Sequence, residues 1–580
     1  MNQIPVRVTV EIKLDAPFHV GGGKGGSGTS SYLVRDGNNA PYWPGSAFKG
    51  KVRHFARLLL EGAAVGQCEF EHRVDFVDFE RKQDDNDASP CKCLVCKMLG
   101  GAGNAKGSLL FGDMKLNVAN TEMRTGNAID RYRRTAKDES LFQIETADAE
   151  MLTGEIIGTL SEENYDEQKA LLEAAIKAIP HIGGNTGRGL GWIAEDGIAV
   201  EIIALDAEEV SVPVDDPPWV TVPVTITAQS PLLIGKKSSE SNFRATLGHI
   251  PGAVLRAALA QTLIAQDGGA EEGKVNWVAK EGGQGRFPSL RRAFGELRIT
   301  QCLPEECRFA PVTVECLKGS KQGYDTLLVK REEKAPTERV KGYIDGQGRK
   351  LDGPTKMVVT KSAMNRFRGT SQDEMLFSME VMLPPVVFQG EISGVFDPAE
   401  LERLTQNGIR VGGYQTAGHG RCKMEIGAPT DSADTPEQLR RRVEMCRGKI
   451  PVTLRSDAIV ALEPPEDTSN EGYLLAYQKA LFSTLTGVKL TKVIAQHSQW
   501  RGFDTSKPTE DILKRQTYHV IDAGAVFLLE TEAPDLTDEL LAALLKLQSK
   551  GVCQDDIHNR NGYGQIRVAD EFHFIREESK

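Results

Sequence analysis

Residues 128–145, AIDRYRRTAKDESLFQIE, align without a gap on residues 363–380, AMNRFRGTSQDEMLFSME, with nine of eighteen positions identical. A chain that carries such a string twice has duplicated a unit, so its fold has to be built from repeats. The shared positions do not follow the apolar period of a helix. They are Arg131 and Arg133 against Arg366 and Arg368, an aromatic between each pair (Tyr132, Phe367), then Asp138-Glu139 against Asp373-Glu374. Alternating arginines can hold a phosphate backbone while the ring between them stacks on a base. The plainer reading is a loop followed by a strand, LFQIE or LFSME, with solvated charges. Recurrence of the arginines favours the first.

At 580 residues the chain exceeds one core, and length suggests about three or four domains. The net charge of −11 argues against a surface coated in positive potential but leaves room for a local basic groove. Arginines gather at 124–134, including Arg124 and Arg134, at 366–368 and at 440–442. No apolar run approaches the ~20 residues of a membrane span. The N-terminus alternates like a strand and lacks a signal-peptide core, so no membrane association and a cytoplasmic location are expected. Ten cysteines, four of them within 68–96, do not resemble a secreted disulfide framework.

Three stretches open with period-2 alternation, near residues 7, 220 and 450, as half-buried strands do. Each ends in a helix, a glycine loop and another strand. Gly183-Gly184 match Gly412-Gly413, Gly189 and Gly191 match Gly418 and Gly420, and the third ending keeps Gly562 and Gly564. Pro-Gly opens an amphipathic helix in both PYWPGSAFKGKVR and HIPGAVLRAALA, with Lys49, Lys51 and Arg53 near one start and Arg256 near the other. A helix N-terminus with basic neighbours suits a phosphate. The element order predicts an α+β fold of tandem ferredoxin-like (RRM-like) modules. The expected boundaries are 1–209 with an insertion at about 61–107, a linker at 210–219, then 220–428, a linker at 429–449, and 450–575. Gly/Lys/Glu-rich stretches at 265–286 and 318–354 read as mobile insertions.

The ferredoxin-like repeat, the Pro-Gly helix starts and the C-terminal glycine loops resemble the RAMP superfamily, the RNA-binding backbone proteins of CRISPR effector complexes. Residues 1–205 look like the backbone subunit of type III effectors. Residues 220–572 look like the type III-D protein that caps the guide's 5′ end, through SPLLIG, HIPGAVLRAALA, SAMNRFRGT and GYQTAGHGR. The resemblance implies that the arginine segments and glycine loops, with Arg188, Gly189, Gly418, His419 and Gly420, track a guide RNA's backbone. It implies as partners guide and target RNA, a large polymerase-like subunit, further backbone subunits and a small subunit. An endoribonuclease acting on target or precursor RNA and an RNA-free protein scaffold are the rival readings.

CEFEHRV at 68–74 and CKCLVC at 91–96 offer Cys68, His72, Cys91, Cys93 and Cys96 for one structural zinc, five candidates for four places. Cys302, Cys307 and Cys316 form a looser group, and Cys422, Cys446 and Cys553 read as ordinary core or surface residues. Cleaving members of the resembling backbone family place an aspartate in the loop after the first strand, where this chain has Ser30. A hydroxyl cannot take over the work of a carboxylate near neutral pH. Asp36 and Asp130 are the remaining acidic candidates; as a plain alternative, Asp36 in RDGNN reads as a turn residue. The loop histidine His419 reads as a backbone or phosphate contact. Walker, HExxH and GxSxG motifs are absent.

Overall fold

Alternation in IPVRVTVEI puts Val6, Val8, Val10 and Ile12 on one face of the first strand, and all four are fully buried. Each such valine contributes about 1.5–3 kcal/mol of burial, so the strand's register is firmly specified. This computed structural model describes residues 3–24, 30–36, 39–63, 93–100, 107–117, 120–204, 217–236, 242–266, 286–328, 336–365, 370–430, 434–461, 465–500, 518–531 and 537–574. Runs of strands are interrupted by helices in each part of the chain, an α+β fold.

One plan occurs three times. The first module runs β1 (Gln3–Leu14), α1 (Gly45–Gly62), β2 (Leu109–Phe111), β3 (Asn120–Ile129), β4 (Ala136–Asp148), β5 (Met151–Ser161), α2 (Tyr165–Lys177) and β6 (Ile193–Ala204). The second runs β7 (Trp219–Ala228), α3 (Gly252–Gln266), β8 (Arg298–Ile299), β9 (Lys356–Asn365), β10 (Thr370–Met382), β11 (Val387–Val395), α4 (Pro398–Thr405) and β12 (Arg421–Ile426). The third runs β13 (Lys449–Leu454), α5 (Asn470–Leu481), β14 (Val488–Ile494), β15 (His497–Trp500), β16 (Tyr518–Ile521), β17 (Val526–Thr531), α6 (Asp538–Lys550) and β18 (Ile566–Val568).

The principal sheets read β2-β5-β1-β6, β8-β11-β7-β12 and β14-β17-β13-β18, all antiparallel. The central registers correspond: Val8 faces Ile156 and Ile202, Val224 faces Gly390 and Ile426, and Val452 faces Phe527 and Val568. Helices cover one face of each sheet around three separate apolar cores. Between its second and third sheet strands each module sends out an antiparallel ribbon: β3-β4, β9-β10 and β15-β16. The eighteen-residue repeat covers the tip and returning strand of the first ribbon, and in the second its described residues lie at the end of β9 and on β10.

The modules join head to tail. The glycine loop of the second module lies on the helix start of the first: a Cβ on Gly418 would come within 2.8 Å of Asp113 Oδ1 and 3.4 Å of Gly45 Cα. Arg421 pairs with Glu155 on β5, and Arg7 Nη2 donates to Asn407 Oδ1 at 2.7 Å. The third module repeats the arrangement on the second, with Gly562 against Ile299 O and the Asn561 carbonyl against Gly252. Arg256 clamps this joint, donating to Asn561 Oδ1 (2.6 Å), Arg560 O (2.9 Å), Phe294 O (2.6 Å) and Leu297 O. Its guanidinium therefore serves protein packing, whereas the helix-start reading assigned it to a phosphate.

Two other expectations are corrected. Within 318–354, Gly323–Asp325 and Thr337–Arg339 flank Val314–Leu317, and Tyr343–Ile344 pairs with Arg308–Phe309 and Lys350–Leu351. Val340 and Ile344 pack with Val314, Cys316 and Phe572 from the far end of the chain. A core completed by a distant residue leaves no local apolar period, so composition alone read it as loop. Residues 267–285 lie outside the described residues. The 429–449 stretch carries a helix, Pro436–Met445, started by a Thr435/Gln438 capping box, with Leu439 and Val443 in the third core. Its buried Arg442 pairs with Asp434 at 2.6 Å, and Arg567 reaches the same carboxylate at 2.7 Å.

Replacing Arg256 by alanine strands several carbonyls in the second joint, a loss of about 2–4 kcal/mol. Calorimetry of the full chain is expected to show the third module melting separately and earlier, with a new protease-sensitive site beside it.

Candidate nucleic-acid interface

The ribbon β3-β4 begins from a sequence with no apolar face to bury, and none of the ten residues of β3 is buried. Met123, Ile129 and Leu141 stand exposed on it, and Tyr132 at its tip is 96 % exposed. Arg124, Arg131, Arg133 and Arg134 are exposed as well. Exposed apolar side chains among arginines mark an interaction surface rather than a stable solvated face. Leu141 is 60 % exposed, and its counterpart in the repeat, Leu376 on β10, is 59 % exposed. Sequence reasoning passed over these leucines as ordinary strand residues, although both belong to the identical positions. Arg366, Phe367 and Arg368 lie outside the described residues.

The tip's shape comes from Asp130. Its carboxylate accepts the Tyr132 and Arg133 amides at 2.9 and 3.0 Å, and its carbonyl accepts the Arg134 amide at 2.8 Å. Arg134 sits at φ 56° to close the turn. Asp130 thus shapes the arginine tip. Asp36 likewise closes a turn, its Oδ1 accepting the Ala40 amide at 2.9 Å. Ser30 opens a short strand that pairs in parallel with Gln143 on β4.

The Glu that ends both repeats has a structural explanation. Glu145 accepts the Leu33 amide and the Arg35 guanidinium, and Glu380 accepts the Thr246 amide and the Lys356 ammonium. In each module this carboxylate ties the ribbon's root to the loop after the first strand.

The remaining sequence candidates divide between surface and interior. Arg188 lies over the Phe142 ring at 4.8 Å, joining the first glycine loop to the ribbon. Gly189 beside it is exposed. Lys51 Nζ lies 3.2 Å from His181 Nδ1, and burial lowers the ammonium's pKa. Lys49 is half-buried on α1. Arg53 caps carbonyls, donating to Leu99 O at 2.6 Å and to Gly100 O. Gly418, His419 and Gly420 are buried in the first joint, unlike the RNA-facing loop that the sequence suggested. Burial, with Lys361 3.2 Å away, pushes the His419 imidazole down to about 3. It is neutral at physiological pH and enclosed by protein.

Around His419 the joint collects charged groups that sequence reasoning did not single out. Asp113 Oδ1 accepts the Gly45 amide at 2.7 Å. Burial lifts its carboxyl to about 6, against the pull of that amide, Lys361 and Arg410. Arg410 is buried, and desolvation brings its guanidinium down to about 10. These residues lie far apart in sequence, so no local motif announces them.

Of the metal candidates, Cys68, His72 and Cys91 lie outside the described residues. Cys93 caps the short helix Leu94–Leu99, its Sγ accepting the Cys96 amide at 3.4 Å, so the two sulfurs share one turn. Among the described residues no group of three or more potential ligands occurs, and Cys302, Cys316 and Cys422 are buried in apolar cores.

The fold and this surface define a class: a repeat protein of α+β modules whose first ribbon presents an arginine-rich tip. In comparison with known families, the model of the RAMP superfamily matches residues 11–194, which lie within the first module. No curated protein matches the chain. Among the described residues, no helix is long and apolar enough to cross a membrane.

A carboxyl raised above its unfolded value adds no penalty below about pH 4, where both states are protonated; the cost grows as pH rises from there and is complete above the folded value of about 6. Asp113→Asn keeps an acceptor for Gly45 without the charge. Its melting midpoint should exceed the parent's at pH 8, by at most about 3 kcal/mol of stability, and converge with it as pH falls through 6 towards 4.

Proposed function

We propose that this chain is a guide-RNA-binding structural subunit of a type III CRISPR RNA-targeting effector, holding the 5′-tag end of the guide beside the large subunit. The observation that carries the reading is the first ribbon's tip, where Tyr132 stands clear of the protein between Arg131 and Arg133. Guanidinium groups on either side of a free ring suit two phosphates flanking a base. Leu141 and Leu376, at matching places, would wedge against bases as apolar side chains do in unstacked nucleic acid. The RAMP match supports RNA as the polymer, and recurrence of the plan supports a repeated grip along one strand. We read the three sheet orders as ferredoxin-like modules, the first of backbone type and the other two as a two-lobed capping protein. Sequence would then be read by pairing of guide with target.

We assign the chain binding rather than cutting. Asp36 and Asp130 are engaged in turns, and the family's aspartate position holds Ser30.

Titration of labelled single-stranded guide RNA, read by fluorescence anisotropy at several salt concentrations, tests the reading. Arg131→Ala with Arg133→Ala should weaken binding about tenfold or more and flatten the salt slope by about 0.7 per lost contact. Tyr132→Ala should cost about 1–3 kcal/mol with the slope unchanged. Equal RNA binding by all variants would remove the ribbon from the interface.

We further propose one structural zinc held by Cys93, Cys96 and two of Cys68, His72 and Cys91. Bound there, the metal would stabilise an insertion that has no core of its own. Cys93→Ser with Cys96→Ser should remove one zinc equivalent per chain by elemental analysis and lower the first module's melting midpoint. Unchanged zinc content would refute that ligand pair.

A further inference from the structure

Three glycines hold the same place in the three loops, two residues before the glycine that closes each: Gly189, Gly418 and Gly562. Those closures are equivalent, since the Gly191, Gly420 and Gly564 amides bond to Pro17 O, Pro231 O and Asp457 O at 2.9, 2.9 and 2.8 Å. Gly418 and Gly562 are buried under the preceding module. A Cβ on Gly189 would meet nothing within 4 Å, and Gly187, Arg188 and Gly189 are all exposed. Trp192, at the place where Arg421 pairs across the first joint, is 45 % exposed and donates its indole N–H to Thr186 O at 3.1 Å.

From this we infer that the first module's loop Gly183–Gly191, with Trp192, is a docking surface for a separate chain that opens its first helix with a Pro-Gly pair. The kind of partner rests on the RAMP reading; the shape rests on the two joints. In both, a glycine loop approaches a helix start that itself carries glycine: a Cβ on Gly252 would collide with the Asn561 carbonyl across the second joint, and one on Gly418 would come within 3.4 Å of Gly45 Cα across the first. In the second joint a start without a side chain is what admits the loop. The exposed tryptophan supplies the large, rigid anchor typical of an interface centre.

A second copy of the chain does not fit. Its Gly45 is covered by its own Gly418, and its Gly252 by its own Asn561. The third module starts α5 with Ser469-Asn470-Glu471-Gly472, which lacks Pro-Gly, and Gly472 already lies against the Asp467 carbonyl. Among the described residues, the first module's glycine loop is the one not seated on a helix start.

The test places a photo-cross-linking phenylalanine at position 187 of the full chain, co-expressed with the products of neighbouring genes, and maps the cross-linked peptide by mass spectrometry. Position 187 lies in open space without positive φ, so the substitution leaves the fold intact. The expected product joins it to a Pro-Gly helix start in another chain, and Gly187→Trp reduces recovery of that chain about thirtyfold, with unchanged melting and RNA affinity. Cross-links to RNA, to a second copy or to another part of a partner would overturn the inference, as would no cross-link at all. RNA affinity of the same preparations separates the two proposals. A Pro-Gly cross-link without RNA binding defeats the guide-binding role alone, and RNA binding with a misplaced cross-link defeats the docking surface alone.

Discussion

Everything in this molecule is organised by the close approach of a glycine loop to a glycine helix start. Two backbones can approach this closely only where at least one of them lacks a Cβ, and Gly418 over Gly45 and Asn561 over Gly252 meet that condition. The contact gives the stack a direction, because loop and helix start lie at different ends of a module. Polar groups then lock it: Arg256 reaches into the second joint, while Asp113 and Arg421 hold the first. The ribbons are consequently free of packing duty. A strand such as β3, with no buried residue, can persist only because its root is tied down, through Glu145, to a module that is stable without it.

The two joints are chemically unlike. The second is dense with arginine-to-carbonyl bonds and ion pairs, including Arg298 with Asp556 at 3.3 Å and Arg560 with Glu296 at 2.6 Å. The Arg308–Asp570 ion pair and a buried Asp325–His573 contact extend it along the chain's end. The first joint keeps a carboxyl, an imidazole and two cations out of water.

Legibility in the sequence followed the range of the interactions involved. Period-2 strands, Pro-Gly helix starts and glycine loops are local, and each appears where the pattern placed it. The repeat of 128–145 at 363–380 pointed to the ribbons, yet its nine identities mixed two tasks: arginines for the exposed tip, and Glu145 and Glu380 for the root. Composition misled where a core was completed from afar. Val340 and Ile344 depend on Phe572, and Leu439 and Val443 enter the third core from a stretch that reads as polar linker.

Backbone chemistry was written in the residues themselves: which segments are strands, where glycine is needed, and that one plan recurs, since these follow from steric and hydrophobic rules acting over a few positions. Only the tertiary structure decided what each glycine and arginine faces. A helix start beside basic residues is the same string whether a phosphate or a neighbouring loop fills it, and Arg256 went to protein while Arg131 and Arg133 stayed in solvent. That choice depends on which modules meet, a relation among residues hundreds of positions apart that no local pattern encodes.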